Sequence, residues 1–149
     1  MTPPPPPEGF RHITPIQVRW GDMDALGHVN NAVFLTYLEH ARVHYLSEVG
    51  LWDGGEASIG PIMVKAVVDY KLPLFANDDV YVFTRCARLG NRSFETAQIV
   101  ARLKDGRYEI SAVATIIGVV YDYRAGQSTP MPESWRERVR AYEPAPVVE

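Results

Sequence analysis

The sequence lacks several features that would assign it to common classes of protein. A single cysteine, Cys86, among 149 residues cannot form an internal disulfide or a thiolate metal cluster, so a reducing cytoplasm fits best. No stretch approaches the roughly 20 apolar residues of a membrane span, and the N-terminus has no apolar run typical of a signal peptide. The net charge of −3 shows no basic excess of the kind that nucleic-acid binders carry. We therefore expect a cytoplasmic protein that contacts neither membranes nor nucleic acids.

Two catalytic signatures are also missing. The chain has no G-x-S-x-G motif, so a serine hydrolase of the α/β type is not supported. His40 and His44 are spaced i, i+4, as metal ligands on a helix would be. However, Ala41 follows His40, which breaks the H-E-x-x-H pattern of zinc proteases. No third ligand is evident, and the sequence predicts no metal site.

Proline is abundant and concentrated at the N-terminus, where residues 2–9 read TPPPPPEG. Proline has no N–H to donate to a sheet and favours extended backbone. The sequence therefore predicts a disordered arm over residues 1–9, a single domain over residues 10–143, and a flexible tail over residues 144–149. One domain is also what this length favours.

Hydrophobic patterning gives the order of the elements. Apolar residues at helical spacing predict a long helix that begins at Asn30 or Asn31 and ends at Gly50. A shorter amphipathic helix is predicted over residues 132–142. Strand patterns cover residues 12–20, 62–72, 79–89, 93–103 and 108–121. The last three are joined by the turn dipeptides Gly90-Asn91 and Asp105-Gly106.

The predicted strands are long, and their order excludes a doubly wound sheet. Strand and helix do not alternate, so an α+β architecture is favoured. Long antiparallel strands must twist and coil. A curved antiparallel sheet of about five strands wrapped around the long helix satisfies both conditions. In the first strand we expect Ile16, Val18 and Trp20 to share the buried side, and in the second we expect Ile62 to begin an uninterrupted alternation.

A polar loop between the first strand and the long helix is the candidate functional site. It carries the side chains of Asp22, Asp24, His28, Asn30 and Asn31. Polar groups packed between a strand and a buried helix are costly unless they have a role. Each also has a structural interpretation, since aspartates cap turns and asparagines cap helices.

The segment from Arg19 to Arg42, RWGDMDALGHVNNAVFLTYLEHAR, carries a recognisable signature. It resembles that of the hotdog-fold acyl-CoA thioesterases of the 4-hydroxybenzoyl-CoA thioesterase-like family, in the branch with a GHVNN core. It is also similar to the D-x-D-x-x-x-H-V-N-N stretch of plant acyl-ACP thioesterases. The resemblance implies a hotdog fold and hydrolysis of an acyl-CoA or acyl-ACP thioester to the free acid and thiol.

The same resemblance assigns roles to the loop residues. Asp24 corresponds to the catalytic carboxylate, acting as nucleophile or general base. The amide of Asn31, at the start of the helix, is the candidate donor that polarises the thioester carbonyl. His28 either assists the chemistry or only ties down the loop, and Asp22 is structural. Leu26 stands where the plant motif has an asparagine, which argues against a papain-like arrangement.

Substrate binding and assembly are also implied. Arg92 precedes Ser93-Phe94 and resembles the family's basic residue that contacts the CoA nucleotide, and Arg88 is nearby; both also fit a solvated hairpin tip. No cofactor is implied beyond CoA as part of the substrate. The family pairs sheets edge to edge, which implies a homodimer or homotetramer with active sites at the interface.

Two alternatives stay open. One is a hotdog enoyl-thioester hydratase, although its differently spaced motif is absent. The other is a non-enzymatic acyl-CoA-binding or sensing module. The sequence does not fix the acyl chain length, the choice between CoA and ACP, or the role of Asp24 as nucleophile or base.

Overall fold

The computed structural model describes residues 2–55 and 57–149. A short 3-10 turn at Trp20–Asp22 lies between the first strand and the first helix. In chain order, the helices and strands are β1 (His12–Ile16), α1 (Val33–Val49), β2 (Ile59–Tyr70), β3 (Asp79–Leu89), β4 (Ser93–Lys104), β5 (Arg107–Asp122), β6 (Gln127–Ser128) and α2 (Glu133–Tyr142).

The strands form one antiparallel sheet in the order β1-β3-β4-β5-β2, with β6 paired to β5. Helix α1 packs on one face of this sheet through Phe34, Tyr37, Leu38 and Ala41, all of which are buried. The predicted α+β class, with a long helix wrapped by an antiparallel sheet, is confirmed. The sequence did not predict the two-residue strand β6 or the 3-10 turn at Trp20–Asp22.

The first strand is shorter than predicted. The chain leaves the sheet after Ile16 and winds into the 3-10 turn, in which Asp22 N–H donates to Arg19 O at 3.0 Å. Trp20 is therefore 86% exposed, and the prediction that it shares a buried face with Ile16 is wrong. Alternation over so few residues does not reveal where a strand detaches from its neighbour.

Helix α1 begins later than predicted. Its first residue is Val33, and no side chain caps its N-terminus. Asn30 instead closes a turn ahead of the helix: its Oδ1 accepts the Ala32 N–H at 2.9 Å, and its carbonyl accepts the Val33 N–H at 2.9 Å. The predicted end is confirmed, since Gly50 adopts φ +87°, which glycine accommodates without strain.

Strand β2 contains a bulge at Val64. Met63 pairs with Gly118 on β5, and Lys65 pairs with the adjacent Ile117, so Val64 is an extra residue in the ladder. Directly paired residues lie on the same face of a sheet. Met63 therefore lies on the α1 side with Gly118, and Ile62 lies on the outer side. The prediction of an uninterrupted alternation from Ile62 is wrong because the bulge reverses the parity.

A row of polar side chains crosses the buried face of the sheet. His12 pairs with Thr84, and Thr84 pairs with Gln98; all three are buried. Gln98 Nε2 donates to Thr84 Oγ1 and to the Leu38 carbonyl, each at 3.0 Å. Gln98 Oε1 accepts a bond from Arg42 Nη1 at 3.1 Å. The centre of α1 is therefore hydrogen-bonded to the central strand, and is not held by apolar packing alone.

Both terminal segments contact the sheet. The Tyr108 hydroxyl donates to Pro4 O at 2.7 Å, and Leu89 N–H donates to Val148 O at 2.8 Å. Glu149 pairs with Arg140 at 2.6 Å. The division into an arm, a domain and a tail at residues 9 and 143 stays a prediction. Among the described residues, no helix is long and apolar enough to cross a membrane.

Candidate active site

The loop between β1 and α1 is fixed by its own backbone. Asp24 N–H donates to His28 O at 2.8 Å, and Gly27 N–H donates back to Asp24 O at 3.1 Å. Two further bonds tie the loop to its surroundings, from Val29 N–H to Leu74 O and from Asn30 N–H to Asp22 O, both at 2.8 Å. Gly27 adopts φ +86°, a conformation that most side chains would strain. The five predicted polar residues are thus held in one compact loop.

Asp22 forms the buried anchor of this loop. Its carboxylate accepts bonds from the Arg19 N–H at 2.9 Å and from the Tyr37 hydroxyl at 2.7 Å, and its side chain is only 2% exposed. Burial acts to raise the pKa of Asp22, but these hydrogen bonds and the Arg19 charge outweigh it and hold the pKa below its usual value. The pKa of Tyr37 is raised by burial and by Asp22. These contacts agree with a structural role.

Asp24 lies in a different environment two residues later. Its Oδ1 accepts the Leu26 N–H at 2.9 Å and the His28 N–H at 3.3 Å, the geometry of an aspartate-led turn. The side chain is 32% exposed. Among the described residues, no group donates a hydrogen bond to Oδ2. One oxygen therefore shapes the loop while the other is available to a substrate or a water molecule.

His28 lies beside Asp24. Its Nδ1 is 3.9 Å from Asp24 Oδ1, too far for a hydrogen bond but close enough for an electrostatic interaction. The imidazole meets the Phe75 ring edge to face, with the centroids 5.7 Å apart. This contact orients the ring from the segment that follows β2. The geometry is compatible with both roles left open by the sequence.

Asn31 lies just before α1. Its carbonyl accepts the Tyr70 hydroxyl at 2.8 Å, which ties the approach to the helix to the end of β2. Within the described part of the chain, the Asn31 N–H has no acceptor. An amide without an acceptor, two residues ahead of a helix, is a group that can donate to developing negative charge.

The two arginines predicted to bind CoA lie at the other end of α1. Arg88 and Arg92 belong to the β3–β4 hairpin. Their neighbours Leu89 and Phe94 pack against the last turns of α1. Arg92 Nη1 donates to Ser128 O at 2.7 Å, so this guanidinium is partly engaged by β6. Within one chain, these arginines are not brought together with Asp24.

His40 and His44 lie on the exposed side of α1, with their ring centroids 4.6 Å apart. In the part of the chain that the structure describes, no cluster of three or more histidine, cysteine, aspartate or glutamate side chains has metal-binding geometry. Cys86 is buried, and burial raises the pKa of its thiol to about 12.

The sequence did not identify the residues that orient this loop from a distance. Tyr37, Tyr70 and Phe75 contact Asp22, Asn31 and His28 respectively. Tyr70 and Phe75 are about forty positions or more from the loop residues they contact, so no local spacing relates them to the motif. Tyr37 lies inside the recognised segment, but its helical spacing predicts only burial and not the bond to Asp22.

Comparisons with known proteins agree with this fold. A family model described as "Thioesterase-like superfamily" matches residues 18–139. The long-chain acyl-CoA thioesterase FadM of Escherichia coli is 27% identical, over 70% of this chain and 80% of its own.

Two solved structures extend the likeness. A thioesterase from Thermus thermophilus, complexed with coenzyme A and Zn, is 35% identical with a TM-score of 0.81, covering 94% of this chain and 99% of its own. The PA5185 protein from Pseudomonas aeruginosa is 28% identical with a TM-score of 0.81, covering 93% and 96%.

The sheet, its enclosed helix and the acidic loop at the start of that helix define a hotdog-fold protein of the thioesterase type. The chain belongs to the thioesterase-like superfamily, because the family model spans most of its length. The membership implied by the Arg19–Arg42 segment is confirmed.

Proposed function

We propose that this protein hydrolyses the thioester bond of acyl-CoA, with Asp24 as the catalytic carboxylate. The observation that carries the proposal is that one hydrogen-bonded loop holds both a partly exposed carboxylate, Asp24, and the Asn31 amide, which has no acceptor among the described residues. The relatives support CoA as the carrier: FadM is a long-chain acyl-CoA thioesterase, and the Thermus thermophilus thioesterase was solved with coenzyme A.

The chemistry assigns one task to each group. Asp24 either attacks the carbonyl carbon directly, giving a mixed anhydride, or removes a proton from an attacking water. The Asn31 N–H donates to the carbonyl oxygen as negative charge develops on it. In both routes the carbon–sulfur bond breaks, and water supplies the hydroxyl of the acid and the proton of the thiol. His28 stays a candidate for orienting Asp24 or the water.

A second subunit completes the proposed site. Arg88 and Arg92 lie near the far end of α1 from Asp24, so they would serve an active site of the neighbouring subunit in a homodimer. Strand β2 is an edge of the sheet, and its Met63, Val64 and Val67 are 49%, 59% and 47% exposed. An exposed apolar edge suits pairing with another copy of the chain.

The test is release of free thiol from a panel of acyl-CoA thioesters by the wild type and by Asp24→Asn. The introduced side-chain amide oxygen still accepts the Leu26 N–H, so the turn survives while the nucleophile and base are lost. We expect kcat to fall by about 100- to 10,000-fold. Asp105→Asn in the β4–β5 turn is the matched control, because asparagine tolerates its positive φ.

Three outcomes would contradict this proposal in different ways. Full activity of the Asp24→Asn variant removes Asp24 from the mechanism. Addition of water to an enoyl-CoA without thiol release indicates a hydratase. Tight binding of acyl-CoA without any turnover indicates a binding or sensing module.

A further inference from the structure

A cavity of about 200 Å³ lies between α1 and β2. Apolar side chains dominate its lining: Val43 and Leu46 on the helix, Met63 on β2, and Phe94 on β4. Its floor is the Phe94 ring lying against Gly118, where a Cβ atom would come within 2.5 Å of the ring. Because Gly118 has no side chain, it leaves room for the Phe94 ring.

Two charged residues of α1, Glu39 and Arg42, also line this cavity. Arg42 is half-buried, and its burial lowers the pKa of the guanidinium. Nη1 donates to Gln98 Oε1 at 3.1 Å, which holds the planar group in place. Among the described residues, Nη2 meets only the Met63 sulfur at 3.5 Å, a weak acceptor. A guanidinium has five N–H donors, so Arg42, which lines the cavity, has donors that these two contacts do not use.

The presence of both Glu39 and Arg42 in the lining favours one chemistry over others in the cavity. A methyl group would leave both charges unpaired with the ligand. A carboxylate would attract Arg42 but meet repulsion from Glu39. A hydroxyl accepts from a guanidinium and donates to a carboxylate, so of these three groups it is the one that matches both side chains.

The proposed thioester position is at the N-terminal end of α1, and the cavity lies further along the helix, toward its C-terminal end. Tyr70 of β2 meets the start of the helix through Asn31, and Met63 of the same strand meets Arg42. From Val33 to Arg42 the helix rises about 14 Å. An extended chain advances about 1.2 Å per bond, so roughly 11 bonds cover this distance.

We propose that this cavity receives the far end of the acyl chain and that Arg42 and Glu39 select acyl groups bearing a hydroxyl about twelve carbons from the thioester. The inference rests on the proposed function and names the substrate class of that site. Arg42 is its specificity-determining residue.

The experiment compares kcat/KM for dodecanoyl-CoA, 12-hydroxydodecanoyl-CoA and the CoA monothioester of dodecanedioic acid. We expect the wild type to prefer the hydroxyacyl substrate over the plain one by about tenfold, the effect of one net hydrogen bond to a charged donor. Arg42→Met should reduce this ratio to about one. Glu39→Gln should raise the relative rate of the carboxyacyl substrate. Arg124→Met, at an exposed turn position, is the control and should keep the wild-type ratio.

The outcomes separate this inference from the proposed function. Hydrolysis of dodecanoyl-CoA with no preference for the hydroxyl overturns the inference and leaves the proposed function standing. Loss of rate on all three substrates at one common factor in Arg42→Met and Arg42→Lys shows a structural role for Arg42 and also overturns it. If no thioester is hydrolysed, calorimetric binding of 12-hydroxydodecanoic acid and dodecanoic acid to the wild type and Arg42→Met decides the inference directly, and equal affinities overturn it.

Discussion

Two aspartates only two positions apart differ in their surroundings. Asp22 is enclosed by Arg19 and Tyr37, which satisfy its carboxylate. Asp24 faces outward and uses one oxygen to bond the amides of its own turn. Environment, not residue type, therefore separates a structural carboxylate from a candidate catalytic one. The motif resemblance assigned Asp22 the structural role in advance, but the partner Tyr37 became visible only in the fold.

Asp22→Asn should destabilise the protein at neutral pH. The new amide N–H₂ would face the Arg19 N–H or the Tyr37 hydroxyl proton, and we expect a loss of about 2 kcal/mol in the free energy of unfolding at pH 7. Because the folded-state pKa of Asp22 lies below its ordinary value of 3.8, the wild type holds this contribution above that pH and loses it as the pH falls below it. The difference in the free energy of unfolding between the wild type and Asp22→Asn should therefore decrease toward pH 3.

Urea denaturation of the wild type, Asp22→Asn and Asp105→Asn at pH 7, 5 and 3 measures this effect. Asp105 lies in an exposed turn, and its variant should unfold like the wild type at each pH. A constant gap between the wild type and Asp22→Asn across the series would show that ionisation of Asp22 contributes nothing to stability.

At the scale of the element, the sequence is informative where signals are local. Strand β3 matches its predicted bounds, and β4, β5 and α2 match within one residue, because alternation and the Asp105-Gly106 turn are read from neighbouring positions. The start of α1 and the bulge in β2 were missed. The start of α1 depends on a turn closed by Asn30 ahead of the helix, and the bulge depends on which distant residues the strand meets, such as Gly118 opposite Met63. A local sequence pattern does not show which distant residue a strand position will pair with.

The Phe94–Gly118 contact between β4 and β5 gives a prediction of this kind. Gly118→Ala places a Cβ against the Phe94 ring, and we expect it to cost about 1–3 kcal/mol from overpacking. Phe94→Leu combined with Gly118→Ala should recover part of that loss, so the two changes will not be additive. Thermal unfolding of both single variants and the double variant measures the coupling.

Gly21→Ala is the control for this cycle, because nothing lies within 4 Å of the added atom and the backbone is not in the left-handed region. Additive effects of Phe94→Leu and Gly118→Ala would mean that the ring does not press on the glycine.

At the scale of the whole molecule, the sheet has one exposed apolar edge and a candidate site whose basic residues lie at the opposite end of the helix. The motif alone was enough to identify the loop of this site. It did not show that Arg88 and Arg92 lie beyond the reach of Asp24 in the same chain, because that separation is set by the direction of α1 across the sheet. An assembly of two chains would bury the exposed edge and bring the basic residues of one chain to the candidate site of the other.

We expect the wild type to be a homodimer or homotetramer, and Val64→Asp to weaken it. The change adds a charge at an exposed edge position that would be buried on pairing, which is costly without a partner. Light scattering coupled to size exclusion, over a range of concentrations, measures the mass. Ala125→Asp, at an exposed turn, should assemble like the wild type. A wild type that is monomeric at all concentrations would refute the assembly.

The bulge at Val64 has a consequence for how this protein can diverge. It divides β2 into two halves. Before the bulge the odd-numbered residues Pro61 and Met63 face α1, and after it the even-numbered residues Val68 and Tyr70 do so. The first half borders the cavity, and the second supports the start of α1 through Tyr70. Substitutions in the first half can therefore remodel the proposed acyl cavity while the second half keeps its support of the helix start. Such a strand would allow substrate specificity to change while the geometry of the candidate site is kept.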